Sequence, residues 1–150
     1  MAKPSSKHIG ILTSGGDCAG LNAVLSAAVI RAHALGHRIT GLENGTAGLL
    51  ESPPRARVLS PGDITPNLLR QGGTILGTTN NRNPFDFPMP DGSRKNRSDE
   101  LLAALKGLGI DVLIGIGGDG SFDILSRLAA QGNINFIGIP KTIDNDVAKT

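Results

Sequence analysis

The stretch from Asp111 to Ser121, Asp-Val-Leu-Ile-Gly-Ile-Gly-Gly-Asp-Gly-Ser, constrains the fold more than any other part of the chain. Val112, Leu113, Ile114 and Ile116 favour extended backbone without polar alternation, the pattern of a strand covered on both faces in a parallel sheet. The glycines behind them permit a sharp turn. Phe122, Leu125, Leu128 and Ala129 then recur at helical spacing, with Ser121 placed to cap the helix. The helix N-terminus offers unpaired N–H groups and the positive end of a dipole, which suits phosphate. Asp119 would repel a bare phosphate, so the loop suits one that carries a hard cation such as Mg²⁺ between the two anions.

Two other readings apply to these residues. A glycine turn between a buried strand and a helix also serves plain packing. Gly115, Gly117 and Gly120 match the dinucleotide spacing G-x-G-x-x-G, but that arrangement requires an acid at the end of the next strand. Here the next apolar run, Asn135 to Ile139, ends in Pro140-Lys141. The spacing G-x-x-x-x-G-K-[ST] of the P-loop nucleotidases does not occur in the chain.

The same unit occurs earlier. His8 to Thr13 reads as a first strand, Ser14-Gly15-Gly16-Asp17-Cys18-Ala19-Gly20 as a second glycine loop with an acid, and Leu21 to Leu35 as a long helix. A side chain at Gly15 or Gly16 would keep backbone N–H groups from touching phosphate. Arg38 to Glu43 reads as the next strand, and Gly45 to Pro54 as loop with one helical turn. Asp63 to Arg70 reads as a short helix, and Thr78 to Arg97 as a long aperiodic loop of the kind that carries function or moves. Asp99 to Lys106 is a helix capped at Ser98, and Ile134 to Ile139 is another buried strand. His33 and His37 sit where a cation favours a helix C-terminus, and His8 has no neighbouring ligand; all three read as structural.

Alternating strands and helices predict an α/β fold, a mainly parallel sheet with helices on both faces. In such a sheet the strand C-terminal ends share one edge, so loops following them converge. The third such loop is Pro140-Lys141-Thr142-Ile143-Asp144-Asn145-Asp146. Asp144 and Asp146 would face the same way in extended chain and need different partners, one to accept a proton, the other held by hydrogen bonds or a cation. An Asx turn is the structural alternative. Phosphate cradle, metal acid and hydroxyl base together meet the needs of phosphoryl transfer.

Composition allows this and excludes other classes. The 150 residues are 39% hydrophobic with 21 glycines and 9 prolines, enough for one globular domain with many loops. The net charge of +2 is scattered. Arg94-Lys95-Asn96-Arg97 is the one basic cluster, and without interleaved aromatics it reads as a solvated loop and not a nucleic-acid patch. Cys18 is the single cysteine, so a disulfide framework or cysteine-based zinc site within one chain is excluded. Ile9 to Leu12 is too brief for a signal or membrane segment, and the expectation is a soluble, cytoplasmic protein without a membrane partner.

Thr13-Ser14-Gly15-Gly16-Asp17, Gly72-Gly73-Thr74-Ile75-Leu76-Gly77, Gly117-Gly118-Asp119-Gly120-Ser121 and Pro140 to Asp146 resemble, in order and spacing, the signature set of the 6-phosphofructokinases. The third element alone also resembles NAD kinases and diacylglycerol kinases; the four together are specific. The resemblance implies a Rossmann-like three-layer first domain, 1–150, of a two-domain fold. It implies that the sugar-phosphate domain lies beyond Thr150 and that the chain is a truncation, inactive alone, with an apolar sheet edge. The implied reaction is glycolytic: phosphoryl transfer from ATP to the 1-hydroxyl of fructose 6-phosphate, with Mg²⁺, in a homotetramer.

By the same resemblance, Gly16 meets the donor phosphates with its backbone, and Gly118, Gly120 and Ser121 line the donor site. Asp119 serves Mg²⁺, Thr142 contacts substrate, Asp144 is the catalytic base and Asp146 supports it. Gly120 matches the ATP-using type, whereas pyrophosphate enzymes usually carry Asp there. Lys141 matches the pyrophosphate type, where a lysine holds the second phosphate. Some ATP-using members resemble this mixture, which favours ATP, with pyrophosphate as the alternative donor. Asn80 stands where the bacterial ATP type has an arginine, a place Arg82 could take over, and Ile124 stands where that type has glycine. A nucleotide-sensing domain without catalysis is the alternative from a different class.

Overall fold

The computed structural model describes residues 5–147. Its elements follow in chain order: strand β1 (His8–Thr13), helix α1 (Leu21–Ala34), β2 (Arg38–Leu42), the short α2 (Gly45–Leu49), β3 (Ala56–Leu59), β4 (Phe87–Pro88), β5 (Arg94–Lys95), α3 (Ser98–Gly107), β6 (Val112–Gly117), α4 (Asp119–Gly132) and β7 (Asn135–Pro140). Five strands form one sheet in the order β3-β2-β1-β6-β7. The last four run parallel, with β1 on β6 from Ile9↔Val112 to Thr13↔Ile116 and β6 on β7 from Val112↔Asn135 to Gly117↔Pro140. β4 and β5 form a separate two-stranded hairpin.

Both faces of the sheet are covered, as the unbroken apolar runs require. On one face Leu21, Leu25 and Val29 of α1 pack on Ile11, Ile39 and Ile116. On the other, Leu101 and Leu105 of α3 and Leu125 and Leu128 of α4 pack on Leu12, Leu42 and Leu113. Each such side chain contributes about 1.5–3 kcal/mol when fully buried. Gly115 permits the closest approach: a Cβ there would stand 2.5 Å from Leu125 Cδ1 and 3.0 Å from the Phe136 ring, so glycine lets α4 close on β6. The dinucleotide-like spacing is thus partly a packing requirement.

Several local expectations are corrected. Ser121 does not cap α4: the helix starts at Asp119, Gly118 is the residue before it, and no side chain caps the end. Ser98 lies inside α3, buried, with Arg97 at the cap position, and its hydroxyl accepts from Gln131 Nε2 at 3.2 Å. β7 is not a buried strand. Among the described residues it pairs on one side only, with β6, and its residues are half-buried or exposed, Ile137 at 52%. Asp63 to Arg70 is not a helix but two 3₁₀ turns, Pro61–Asp63 and Leu68–Arg70. The sheet also gains β3, an antiparallel edge strand. Thr78 to Arg97 is largely ordered, by a 3₁₀ turn at Pro84–Asp86 and the β4–β5 hairpin.

His8 is structural, as expected. Its Nε2 lies 2.8 Å from Thr40 Oγ1, and burial, with nearby Arg38, holds its pKa below the usual imidazole range. Among the described residues no helix is long and apolar enough to cross a membrane.

Candidate active site

β1 leads to β2 on one side, while β6 pairs with its other side, so the sheet reverses direction of growth between β1 and β6. Ligands bind at the strand C-terminal ends beside such a reversal. The three glycine- or acid-rich loops meet there. Ser14 N–H donates to Ile116 O at 2.9 Å, and Lys141 N–H donates to Gly117 O at 3.0 Å, so the ladder continues past β1 and β7 and holds the loops together. Gly15, at φ 85°, donates its N–H to Thr79 O at 2.9 Å, and its carbonyl accepts from Thr78 Oγ1 at 2.6 Å. Only glycine takes that left-handed conformation without strain.

These loops line an open cleft of about 630 Å³. Its floor holds Ser14, Gly15, Gly16, Gly118, Asp119, Gly120, Ser121 and Lys141, with Ile124 of α4 beside them. The uncapped N-terminus of α4 leaves backbone N–H groups for a ligand. A Cβ at Gly120 would meet nothing within 4 Å, so this position opens into free space. The Asp119 carboxylate is exposed at the first helical position and makes no hydrogen bond or ion pair among the described residues. No group of three His, Cys, Asp or Glu side chains suited to a metal exists among the described residues. One hard oxygen ligand beside a phosphate cradle fits Mg²⁺, which is commonly held by one or two carboxylates together with substrate phosphates.

Lys141 reaches back across the floor. Its Nζ donates to Gly16 O, and Ile143 Cδ1 lies 2.9 Å from where a Gly16 Cβ would stand. The loop after β7 therefore latches the loop after β1. Lys141 also lines a second cleft of about 310 Å³, with Thr142, Ile143, Asn145, Cys18 and Val24, and so stands where the two clefts meet.

The Thr142–Asp146 segment is not extended. Asn145 is left-handed at φ 56°, Thr142 Oγ1 donates to Asp146 Oδ1, and Asp146 N–H returns to Thr142 Oγ1 at 3.3 Å. The two acids thus have different surroundings: Asp146 is engaged, whereas Asp144 is exposed and has no partner among the described residues. Six of the nine sequence-predicted site residues line the first cleft, and Thr142 lines the second; Asp144 and Asp146 line neither.

The wall opposite the floor comes from 79–83 and the hairpin, through Asn80, Asn81, Arg82, Asn83, Pro88 and Arg94. Arg82 lines the cleft, but its guanidinium also lies over the Phe87 ring, 5.4 Å from the centroid. Arg94 and Pro88 escaped sequence reading. The signal was Pro90-Asp91-Gly92-Ser93, a turn sequence whose Asp91 Oδ1 accepts from Ser93 N–H at 2.9 Å. The basic cluster is consumed locally: Arg94 pairs with Asp86, and Lys95 and Arg97 with Glu100.

A family model described as Phosphofructokinase matches residues 8–150. Proteins named ATP-dependent 6-phosphofructokinase 1 from Synechocystis sp. and Nostoc sp. are 55% and 56% identical over 145 residues, covering 96% and 97% of this chain. The chain spans 40% of the length of each of these relatives. The solved phosphofructokinase of Saccharomyces cerevisiae superposes with a TM-score of 0.74 at 27% identity, over 97% of this chain and 21% of that one. A pyrophosphate-dependent phosphofructokinase from Nitrosospira multiformis gives 0.72 at 23% identity over 97% of this chain and 36% of its own, a likeness of fold alone. With its four signature elements, its parallel sheet and a family match over nearly its whole length, the chain belongs to the phosphofructokinase family.

Proposed function

We propose that this chain supplies the donor side and the catalytic base of an ATP-dependent 6-phosphofructokinase, which phosphorylates the 1-hydroxyl of fructose 6-phosphate to give fructose 1,6-bisphosphate. The observation that carries the reading is the meeting of a phosphate-suited cleft and a second cleft at Lys141, followed in the same loop by one engaged carboxylate and one without a partner among the described residues. The relatives' name and identity support the choice of reaction.

In this reading the donor phosphates lie against the backbone of Gly16 and the start of α4 at Gly118, Gly120 and Ser121, with Lys141 beside them. Asp119 would hold Mg²⁺, which when bound neutralises charge that develops on the transferring phosphoryl group. Asp146, through its hydrogen bond to Thr142, fixes that hydroxyl for the acceptor sugar. Asp144 takes the proton of the 1-hydroxyl as its oxygen attacks the terminal phosphorus and the bond to the leaving phosphate oxygen breaks. Alignment and charge neutralisation supply most of the rate, so the base need only favour the forming alkoxide.

Gly120 supports ATP over pyrophosphate, because nothing fills the space where an acidic side chain would repel a nucleotide's phosphates. Lys141 in the cleft favours pyrophosphate as the second reading. Expected by family resemblance alone are a second, sugar-phosphate-holding domain, a homotetramer and a cytoplasmic location. The test is fructose 1,6-bisphosphate formation by the protein at its natural length, with ATP and pyrophosphate supplied separately. Turnover with ATP is the expected result. Turnover with pyrophosphate alone overturns the donor assignment, and nucleotide binding without turnover overturns catalysis in favour of a sensor.

A further inference from the structure

The Gly72–Gly77 motif takes no part in the mechanism above, yet three buried polar side chains hold the segment it opens. Asn22, at the start of α1 and 2% exposed, accepts at Oδ1 from Ile75 N–H at 2.9 Å and donates through Nδ2 to Gln71 O at 3.1 Å. Thr13, at the end of β1 and 1% exposed, donates from Oγ1 to Gly77 O at 2.7 Å. That bond uses its one hydroxyl proton, so across 3.2 Å the Thr74 hydroxyl is the donor to Thr13 Oγ1. Thr74 Oγ1 accepts in turn from Leu76 N–H at 3.2 Å. Farther along, buried Thr46 of α2 donates to Arg82 O at 2.7 Å. Side chains of α1, β1 and α2 thus hold residues 71–82 at their start, middle and end.

We infer that Asn22 and Thr13 are positioning residues for the phosphoryl donor: they hold 71–79 as a strap that sets the place of the Gly15–Gly16 backbone. The inference rests on the functional reading above and deepens it. Neither side chain lines the first cleft, but the far end of the strap does, through Thr79, Asn80, Asn81 and Arg82. The strap takes up both backbone polar groups of Gly15, whose N–H donates to Thr79 O at 2.9 Å and whose carbonyl accepts from Thr78 Oγ1 at 2.6 Å. A shift of the strap therefore carries with it the loop on which the donor phosphates would lie. Among the described residues Asn22 makes the only side-chain hydrogen bonds from α1 to the strap. Leu76 is buried among the α1 side chains of the core, so the strap stays docked when a polar tie is lost, and what changes is its register.

The test uses the protein at its natural length. Calorimetric titration with Mg²⁺-ATP and with Mg²⁺-pyrophosphate is compared for the parent, Asn22→Ala, Thr13→Val and Thr13→Ser. Asn22→Ala and Thr13→Val are expected to weaken the donor that the parent binds about five- to tenfold, within the range of side chains that act through a connected network. The KM for fructose 6-phosphate is expected to stay within about twofold. Thr13→Ser keeps the hydroxyl and is expected to recover most of the donor affinity. A lower unfolding midpoint with donor affinity within about twofold of the parent shows a merely structural role and overturns the inference, as does equal weakening of donor and sugar. Thr13→Val keeps the shape of the side chain, so the Thr13 pair decides should Asn22→Ala fail to fold. Failure of the underlying reading shows in the parent instead: ATP binding without turnover overturns catalysis while the titrations still decide the strap, and binding of neither donor overturns both.

Discussion

The two strand–glycine loop–helix units of this chain differ in what holds their loops. Between β6 and α4 stands Gly118 alone, so the helix N-terminus arrives on the cleft directly from the strand. Between β1 and α1 the chain spends Ser14 to Gly20, with left-handed glycines at Gly15 (φ 85°) and Gly20 (φ 89°). The tight loop is positioned mainly by its own strand and helix, with one tertiary bond from Lys141 N–H to Gly117 O. The wide loop is positioned by others: Thr78, Thr79, Lys141 and Ile143 all touch Gly15 or Gly16. A glycine loop at the sheet edge can thus be positioned locally or by tertiary contacts, and the second kind is open to change from a distance.

Substitutions separate the two kinds. Gly115→Val attacks the tight unit, since its Cβ would fall 2.5 Å from Leu125 Cδ1; it is expected to cost about 1–3 kcal/mol in denaturant unfolding, the usual range for overpacking. Gly15→Ala attacks the wide unit through its backbone and is expected to cost about 1–2 kcal/mol, read in the same way, from the left-handed conformation. Lys141→Met releases the latch on Gly16 O with little loss of stability, and the donor KM is expected to rise about tenfold, or about 1.4 kcal/mol. Ser121→Ala is expected to change stability by less than about 0.5 kcal/mol, because Ser121 makes no capping bond to α4. A loss near 1 kcal/mol there would restore the capping role expected from sequence.

The tight unit was the more legible in sequence. Buried parallel strands announce themselves by unbroken apolar runs, and β1, β2 and β6 lie where Ile9, Ile39 and Leu113 place them. Ser121 and Ser98 misled because capping preference is local, while the actual helix starts are set by how the strand or hairpin delivers the chain. β7 reads as buried from Phe136, Ile137 and Ile139, since composition does not reveal whether a strand has a neighbour on its far side. The residues of the floor, from Gly16 to Lys141, were found because glycine and acid patterns carry backbone chemistry. Arg94 was not, because strands of two residues have no period and its place depends on Phe87 being held between two arginines. The relation of Asp144 to Asp146 was also hidden, since it depends on a left-handed Asn145.

The central claim is that one cleft binds the donor while a separate carboxylate, that of Asp144, makes the acceptor oxygen reactive. Measuring ATP binding and turnover on one preparation of the Asp144→Asn variant, at the protein's natural length, tests it most directly. The account predicts an ATP dissociation constant within about twofold of the parent and a kcat lower by about 10²–10⁴-fold, the contribution of a positioned general base. Turnover close to that of the parent, or loss of ATP binding along with activity, would contradict it.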